Sequence, residues 1–469
     1  MLRLRRFGSR FRPLLRDERG GVAVIFAVTL IPMLLAIGLA VDTARAYAVK
    51  SRLQQALDAA ALAVGSSTGT AAEMQALAQK FFDANFRADG LATASSIQVT
   101  VNGDTIVADG AATVDSTLMA LGGFGAIRVV EHSEVVRAIR GLELAMVLDN
   151  TGSMTSNDNI GALREAAREL TGILFGNQTL HPTLRIALVP YSASVNPGRV
   201  AESLISGSTA VDPARALGWK GCVVERAGAN AVADTPAATR TWTPYKWLPS
   251  VDNDYNASSP STVRADPSYG NGGTGPNLGC PTAITPLTND KAVIDAAIDA
   301  MRAWSRGGTF SDIGMAWGLR VLSPEPPFTE GLPWGTAKWD KAAILMTDGE
   351  NQFFKLSGRS GPNEANPAVN SDYTGYGRLD ELGRIGTTNL SSARTVINTR
   401  MADVCRAMKA KGIVIYTITF TSGISDATRE LYRTCASTPQ KYFDSPTQTE
   451  LRASFRAIAT ELSQLRLSL

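Results

Sequence analysis

Three short polar segments in this chain carry the oxygen atoms that hard divalent cations prefer. They are Asp149-Asn150-Thr151-Gly152-Ser153, Gly307-Gly308-Thr309 and Thr347-Asp348-Gly349. In the first segment a carboxylate and two hydroxyls stand at alternate positions of a turn, so their oxygens can converge on one point. Hydroxyls, two carboxylates and one vacant position suit the near-octahedral, oxygen-rich coordination of Mg²⁺. The sequence therefore predicts a magnesium site, with Mn²⁺ and Ca²⁺ as alternative ions.

The elements that must position these segments are apolar runs. Residues 142–148 and 342–346 are nearly continuously apolar and directly precede the first and third segments. Such runs are typical of parallel strands that helices cover on both faces. In sheets of this kind ligands bind beyond the carboxyl ends of the strands. We therefore expect both aspartates to lie at one edge of a sheet.

Helical and strand-like patterns alternate through the rest of this region. Alternation of this kind predicts a doubly wound, mostly parallel α/β sheet with right-handed crossovers. Helices are predicted over residues 159–175, 290–304, 312–322, 402–411 and 449–465, and further strands over 184–190 and 413–420.

The spaced motif resembles a known one. Asp-x-Thr-x-Ser, then a threonine in a Gly-Gly-Thr loop, then an aspartate after an apolar strand resembles the metal-ion-dependent adhesion site of von Willebrand factor A domains. The resemblance covers roughly residues 141–469, and it implies that a partner protein fills the vacant metal position with a carboxylate. By the same resemblance five residues match the ligands of that family: Asp149, Thr151, Ser153, Thr309 and Asp348.

A simpler interpretation of the same residues stays open. Thr151 and Ser153 could cap the helix predicted to begin near Asn159, and Asp348-Gly349 could be an ordinary turn. The chain also departs from the family pattern by two large insertions, about 193–285 and about 352–390. The first holds Trp219, Trp242 and Trp247. Long connections in a compact domain are usually functional or disordered, so we expect both to surround the metal site and select its partners.

The N-terminal region has the pattern of a membrane anchor. Residues 1–19 contain seven arginines and two acidic residues, and residues 20–41 carry no charge. As a helix those 22 residues would span about 33 Å, which is enough for one crossing. The arginine-rich leader predicts a cytoplasmic N-terminus, with the bulk of the chain outside. A cleaved secretory signal is the alternative, although its apolar region would be shorter.

Helical spacing of small apolar residues continues beyond the predicted membrane span. It predicts a helical extension over residues 42–65, which Gly65-Ser66-Ser67 ends. Residues 66–140 are predicted to form a small α+β stalk domain. Its helix falls at 71–90 and its antiparallel strands at 97–101, 105–108, 111–114 and 128–138.

The N-terminal block resembles a second family. Residues 17–21, the apolar run, Val41-Asp42 and an alanine-rich segment over 53–64 resemble the N-terminal region of TadG-like proteins of the tight-adherence (Flp) pilus system. The resemblance implies a bacterial inner-membrane protein whose partners are pilus-assembly or other envelope proteins. Ile25 and Phe26 stand where pilin-type segments carry a glutamate, so cleavage by a prepilin peptidase is not predicted.

Charge and cysteine content agree with an exported protein. The net charge is +3, and without the leader the rest of the chain carries about −2, so no nucleic-acid partner is expected. The four cysteines favour disulfides in an oxidising compartment. Their order favours Cys222 with Cys280 and Cys405 with Cys435, although four cysteines allow three connectivities.

Catalysis is not predicted. The chain has only two histidines, His132 and His181, and it contains neither a Gly-x-Ser-x-Gly elbow nor a phosphate-binding loop. Near the metal motif Glu350 alone could act as a general base, and an ordinary role as a surface residue is favoured for it. The sequence predicts a membrane-anchored von Willebrand factor A-domain protein that assists assembly or anchoring of Tad/Flp-type pili by Mg²⁺-dependent protein binding. A surface adhesin for host or abiotic material and a structural envelope spacer are the alternatives.

Overall fold

The structure is a computed structural model. The residues it describes are 21–65, 67, 70–87, 90–94, 96–102, 105–117, 119–123, 125–136, 140–198, 220–236, 241–245, 247, 277–354 and 371–466. Two compact units are divided between Ala138 and Ile139.

Helices and strands are numbered in chain order over these residues. The helices are α1 (Gly21–Gly65), α2 (Ala71–Asn85), α3 (Asn159–Phe175), α4 (Lys291–Ala300), α5 (Ser311–Leu322), α6 (Leu390–Ala410), α7 (Asp426–Cys435) and α8 (Gln448–Arg466). The strands of the first unit are β1 (Thr93–Ala94), β2 (Gln98–Asn102), β3 (Thr105–Val114) and β4 (Ile127–Val136). Those of the second are β5 (Gly141–Asp149), β6 (Leu184–Tyr191), β7 (Val223–Val224), β8 (Thr243–Pro244), β9 (Thr285–Thr288), β10 (Gly308–Thr309), β11 (Trp339–Thr347), β12 (Gln352–Phe353), β13 (Val414–Phe420) and β14 (Tyr442–Ser445).

One continuous helix, α1, occupies both the predicted membrane span and its predicted extension. Its N-terminal half is apolar and exposed, and by length and composition it can cross a membrane. The C-terminal half buries Leu53, Leu57, Ala61 and other small apolar residues against α2 and the antiparallel sheet. These apolar residues recur with the helical repeat and therefore share one face of α1, which packs on the sheet of the first unit.

The antiparallel sheet of the first unit has β3 at its centre, between β2 and β4, with β1 also paired to β3. The two strands predicted over 105–108 and 111–114 are one strand. Gly110 permits α1 to pack closely on this strand, because a Cβ there would lie 3.0 Å from Leu57 Cδ2. Asp42 is buried in α1, and its carboxylate accepts hydrogen bonds from the Thr117 hydroxyl at 2.5 Å and the Met119 amide at 3.1 Å.

The second unit contains the predicted doubly wound α/β sheet. Its strand order is β14-β13-β11-β5-β6-β9, in which all neighbours are parallel except the edge pair β6 and β9. Helices α3, α4 and α8 pack on one face, and α5, α6 and α7 pack on the other. Strand β5 is buried along its whole length, as expected of a central strand covered on both sides.

Some predicted boundaries were wrong. The helix predicted over 290–304 ends at Ala300, because Trp304 leaves the helical path to bridge Thr151 in parallel. Helix α6 begins at Leu390, twelve residues before the predicted start, with an Asn389 side-chain cap. Strands β9 and β14 and helix α7 have no counterpart in the prediction. Whether short or polar segments of this kind form strands or helices depends on their contacts with the rest of the fold, and the local sequence period does not predict it.

The described parts of the first insertion contribute to buried structure. Trp242 and Trp247 are both buried, whereas Trp219 lies outside the described residues. The predicted cysteine pairing is confirmed. Cys222 bonds Cys280 with a Cα–Cα distance of 5.8 Å, and Cys405 bonds Cys435 at 5.3 Å.

Candidate metal centre

Adjacent parallel strands carry the two predicted carboxylates to the same edge of the sheet. Strand β5 ends at Asp149 and β11 ends at Thr347, and the register pairs Leu148 with Met346. Asp348 follows β11 directly. The carboxyl ends of parallel neighbours lie together, so the local sequence and the sheet register jointly place both aspartates where ligands bind in such folds.

Four of the five predicted ligand residues form one hydrogen-bonded chain. Asp149 accepts the Thr151 amide on Oδ1 and the Thr347 hydroxyl on Oδ2, both at 2.7 Å. The hydroxyls of Thr151 and Ser153 lie 3.0 Å apart. Ser153 in turn donates its hydroxyl to Asp348 Oδ1 at 2.6 Å. Residues 195 positions apart in sequence are thus brought into direct contact.

The helix-capping interpretation of these hydroxyls is wrong. Residues Gly152–Asp158 form a 3₁₀ turn, and the Thr151 side chain makes no capping hydrogen bond to it. The cap residue of α3 is Asp158, whose side chain also makes no capping bond. The turn at Asp348 does exist, because the Gly349 amide donates to the Thr347 hydroxyl at 3.2 Å. The hydroxyls of Thr151 and Ser153 are therefore directed to the carboxylates and to each other.

Thr309 reaches the same edge by a different route. The Trp304 amide donates to the Asn150 carbonyl at 2.7 Å, and the backbone of Ser305 lies against Gly152. Thr309 follows after a short turn and is buried as part of strand β10. Within the described residues, no hydrogen bond joins its side chain to the other four predicted ligands. The structure therefore brings Thr309 to the site's loop cluster without a direct hydrogen bond to the other predicted ligands.

Burial and mutual repulsion govern the charges of the site. Burial raises the pKa of Asp149, which is fully buried. Burial, followed by the nearby charge of Asp149, raises the pKa of Asp348 to about 7. In the described part of the chain neither carboxylate forms an ion pair with Lys or Arg. A cation at this edge would offset both effects, because an opposite charge favours the ionised carboxylates.

The donor set fits a hard divalent cation. Carboxylate and hydroxyl oxygens are the ligands that Mg²⁺ prefers, and Ser153 is exposed while Asp348 is 8% exposed, so solvent reaches one side. The described residues contain no group of three or more His, Cys, Asp or Glu side chains that could hold a metal. A softer ion of the kind that His and Cys select has no comparable site among those residues.

Sequence reasoning missed the hydroxyls that surround Asp149 on its buried side. Tyr191 donates its hydroxyl to the Met346 carbonyl at 2.9 Å and lies 3.4 Å from Asp149 Oδ2. The Ser311 hydroxyl lies 3.2 Å from the Tyr191 hydroxyl and accepts from Tyr432 at 2.7 Å. The sequence did contain one signal for Tyr191, because this residue ends β6 in register with Asp149.

Glu350, the residue considered as a general base, forms an ion pair with Arg394 at 2.5 Å.

Another buried carboxylate, that of Asp312, lies in the first turn of α5, three residues after Thr309. Asp312 is 2% exposed, and Tyr376 of the second insertion donates its hydroxyl to Asp312 Oδ2 at 2.6 Å. Burial raises the pKa of Asp312 to about 6. Because this pKa is higher in the folded than in the unfolded chain, the associated stabilisation is complete below about pH 4 and is lost as pH rises through 6.

The Asp312→Asn variant should therefore have a different pH dependence of stability. An asparagine can still accept the Tyr376 hydroxyl, but it carries no charge to desolvate. Relative to the variant, we expect wild type to lose about 2–3 kcal/mol of unfolding free energy between pH 4 and pH 7.5. Urea unfolding of the detergent-solubilised full-length proteins measures this. Asp403→Asn, at an exposed ion pair with Arg406, is the control, and parallel profiles for wild type and Asp312→Asn would contradict the prediction.

The sheet order and the helices on both faces define the class of the second unit, a doubly wound, mostly parallel α/β domain with an oxygen-rich edge. Solved structures with similar folds include the von Willebrand factor domain of the type V pili tip protein Mfa5 from Porphyromonas gingivalis. It is 13% identical, with a TM-score of 0.39 over 71% of this chain and 97% of that one.

Two further structures are similar at the same level. The pilus adhesin SpaC from Lactobacillus rhamnosus GG is 13% identical, with a TM-score of 0.37 over 80% of this chain and 37% of that one. Proximal thread matrix protein 1 from the mussel byssus, solved with a zinc-occupied MIDAS motif, is 12% identical with a TM-score of 0.33, over 70% and 47%. This chain thus spans less than half of either protein.

The N-terminal segment matches a protein-family model. Residues 20–73 match the family model described as putative Flp pilus-assembly TadE/G-like. The resemblance of this block to TadG-like proteins is thereby confirmed, and its apolar helix α1 fits a single-pass membrane anchor. No curated protein matches the sequence.

Proposed function

We propose that this chain is an inner-membrane protein, anchored by α1 with its N-terminus in the cytoplasm, that assists assembly or anchoring of Tad/Flp-type pili. Its external von Willebrand factor A-type domain binds a carboxylate of a pilus-assembly or other envelope protein through Mg²⁺. The observation that carries the proposal is the hydrogen-bonded chain from Asp149 to Asp348, in a protein with a TadE/G-like N-terminal segment.

In this proposal each residue of the candidate site has a defined task. The hydroxyls of Thr151, Ser153 and Thr309 hold the ion, and Asp149 and Asp348 bind it directly or through water. Asp149 also holds the Thr151 amide, which keeps the hydroxyl-bearing turn in place before any ion binds. Mg²⁺ supplies a Lewis-acidic contact for a carboxylate of the partner. The proposed role is binding without catalysis.

The test is pilus assembly by cells that carry full-length Asp149→Ala in place of wild type. We expect the variant to reach the membrane at wild-type abundance, to lose metal-dependent capture of pilus-assembly proteins, and to reduce surface pili. Asp158→Asn is the matched control, because Asp158 is an exposed carboxylate in the same turn but outside the hydrogen-bonded chain. Normal piliation with Asp149→Ala would contradict the proposal.

An adhesin is the second candidate function. The first insertion begins directly after β6, at the edge of the sheet that carries the candidate site, so its surface could contact host or abiotic material. Loss of attachment with normal pili would favour this function. If metal-site variants change neither piliation nor attachment, a structural spacer in the envelope is the remaining interpretation.

A further inference from the structure

A buried ion pair holds the turn that delivers Thr309. This turn, residues 307–309, is called the glycine turn below. Arg306, which precedes it, donates Nε and a terminal nitrogen to the two carboxylate oxygens of Asp372, each at 2.9 Å. The Gly307 amide donates to the same carboxylate at 3.0 Å. Arg306 is 7% exposed and Asp372 is 1% exposed, so this bidentate contact is shielded from water.

The backbone of the glycine turn needs such support. Arg306 has a φ of 84°, which is unfavourable for a residue with a side chain, and Gly307 and Gly308 also have positive φ. At Gly308 a Cβ would lie 2.0 Å from the Gln352 carbonyl oxygen. The glycines are therefore required here by conformation and by close approach of the neighbouring chain.

The second insertion holds the other side of the turn. The Phe354 amide donates to the Gly307 carbonyl at 2.9 Å, and the Asp372 amide donates to the Phe354 carbonyl at 3.0 Å. Strands β10 and β12 pair Thr309 with Gln352. Asp372 thus contacts the glycine turn through both its side chain and, by way of Phe354, its backbone.

The first insertion covers this ion pair. The Arg306 guanidinium lies 4.9 Å from the ring centre of Trp247, a cation–π distance. Tyr373, next to Asp372, packs edge-on against Tyr245 at 5.1 Å. The Tyr245 hydroxyl donates to the Leu278 carbonyl at 2.6 Å, close to the disulfide that joins Cys222 and Cys280. Both insertions therefore converge on the residues that hold the turn.

We infer that Asp372 is a positioning residue for the metal centre, which it controls by holding the glycine turn and Thr309 in one conformation before metal binds. This inference rests on the proposed function. It adds a role for the two insertions, which hold the glycine turn in place as well as border the site. A ligand loop that is ordered before binding loses less conformational entropy when the metal binds, so the contacts of Asp372 with Arg306 and Gly307 should raise metal affinity.

Asp372→Asn tests the inference because it keeps the shape of the side chain but removes the bidentate charge partner of Arg306. We expect Mg²⁺ affinity of the detergent-solubilised full-length protein, measured calorimetrically, to fall at least about tenfold, the range typical of residues that orient metal ligands. Arg306→Lys, which keeps the charge but not the fork, should act in the same direction. Affinity equal to wild type in both variants would overturn the inference.

Asp340→Asn is the matched control. Asp340 forms a bidentate contact of the same hydrogen-bond geometry with Arg140, at 2.6 and 2.8 Å, but this pair is partly exposed and lies at the opposite end of β11 from the candidate metal site. It should leave Mg²⁺ affinity unchanged. A decrease in this control as large as that of Asp372→Asn would assign the effect to general destabilisation and overturn the inference.

A coupling measurement separates positioning from general loss of structure. If Asp372 acts through Thr309, then Asp372→Asn should weaken Mg²⁺ binding little further in a Thr309→Val background. Additive losses would overturn the inference.

Hydrogen exchange of the metal-free protein provides a readout that does not need the metal. In Asp372→Asn the amides of residues 307–309 should exchange at least about tenfold faster, because the Gly307 amide loses its charged acceptor. Unchanged amide exchange in Asp372→Asn would overturn the inference that Asp372 holds the glycine turn. If wild type binds no Mg²⁺ while exchange in Asp372→Asn accelerates as expected, the proposed function fails, but Asp372 still holds the glycine turn.

Discussion

Replacing Asp348 by asparagine is expected to weaken Mg²⁺ binding by at least about 100-fold while leaving the metal-free protein at least as stable as wild type. The carboxylate lies in a buried region beside Asp149, and both effects oppose its negative charge. An asparagine removes that charge and can still accept the Ser153 hydroxyl, which now lies 2.6 Å from Asp348 Oδ1. The same negative charge destabilises the metal-free protein and binds the metal. The variant should therefore lose metal affinity without losing metal-free stability.

Thermal unfolding with and without Mg²⁺ measures both parts of this prediction. At a Mg²⁺ concentration about 100 times its Kd, wild type should gain about 2.7 kcal/mol of stability, and Asp348→Asn should gain at most about 0.4 kcal/mol. Calorimetry should give an affinity lower by at least about 100-fold, more than is typical for residues that only orient a ligand. Asp158→Asn should retain the full gain. Marked destabilisation of metal-free Asp348→Asn would instead make the carboxylate structural.

Replacing Glu225 by alanine is expected to lower the free energy of unfolding by about 3–5 kcal/mol, the range for breaking a buried ion pair. Glu225 and Arg320 are 1% and 2% exposed and form two hydrogen bonds at 2.8 and 2.9 Å. Arg226 lies nearby, and burial followed by the charge of Arg320 lowers the pKa of Arg226 to about 10. Without Glu225 two buried arginines would lose their main counter-charge.

Two comparisons in urea unfolding test the cause of that loss. Replacing both partners, Glu225→Leu with Arg320→Met, should cost much less than Glu225→Ala alone, because no buried charge is left unpaired. Asp403→Ala, which breaks an exposed pair with Arg406, should cost less than about 1 kcal/mol. A loss for Glu225→Ala as small as that of Asp403→Ala would mean that water reaches Arg320 in solution.

The Glu225 pair also indicates how the first insertion relates to the candidate site. Glu225 belongs to that insertion, and Arg320 lies on α5, which begins two residues after Thr309. The Glu225 amide donates to the Gly375 carbonyl at 2.6 Å, in the second insertion. Loss of this pair should therefore disturb the glycine turn as well as global stability, whereas Asp348→Asn acts on the ion alone.

The sequence by itself determined the parts of this protein that depend on local pattern. Apolar runs predicted β5 and β11, helical spacing predicted α3, and the uncharged run predicted the apolar part of α1, because burial and hydrogen bonding repeat with the period of each element. The residues after β5 and β11 were placed at one edge by the rule that parallel strands end together. The order of the four cysteines matched the observed disulfides.

Only the tertiary structure decided which distant polar residues pair. Arg306 with Asp372 and Glu225 with Arg320 are separated by 66 and 95 positions, and no local period relates them. The same holds for the Tyr191 hydroxyl beside Asp149 and for the early end of α4, where bridging by Trp304 overrides helical spacing. Buried polar groups need partners wherever the fold brings them, so their partners follow from the assembled core and cannot be identified from neighbouring residues.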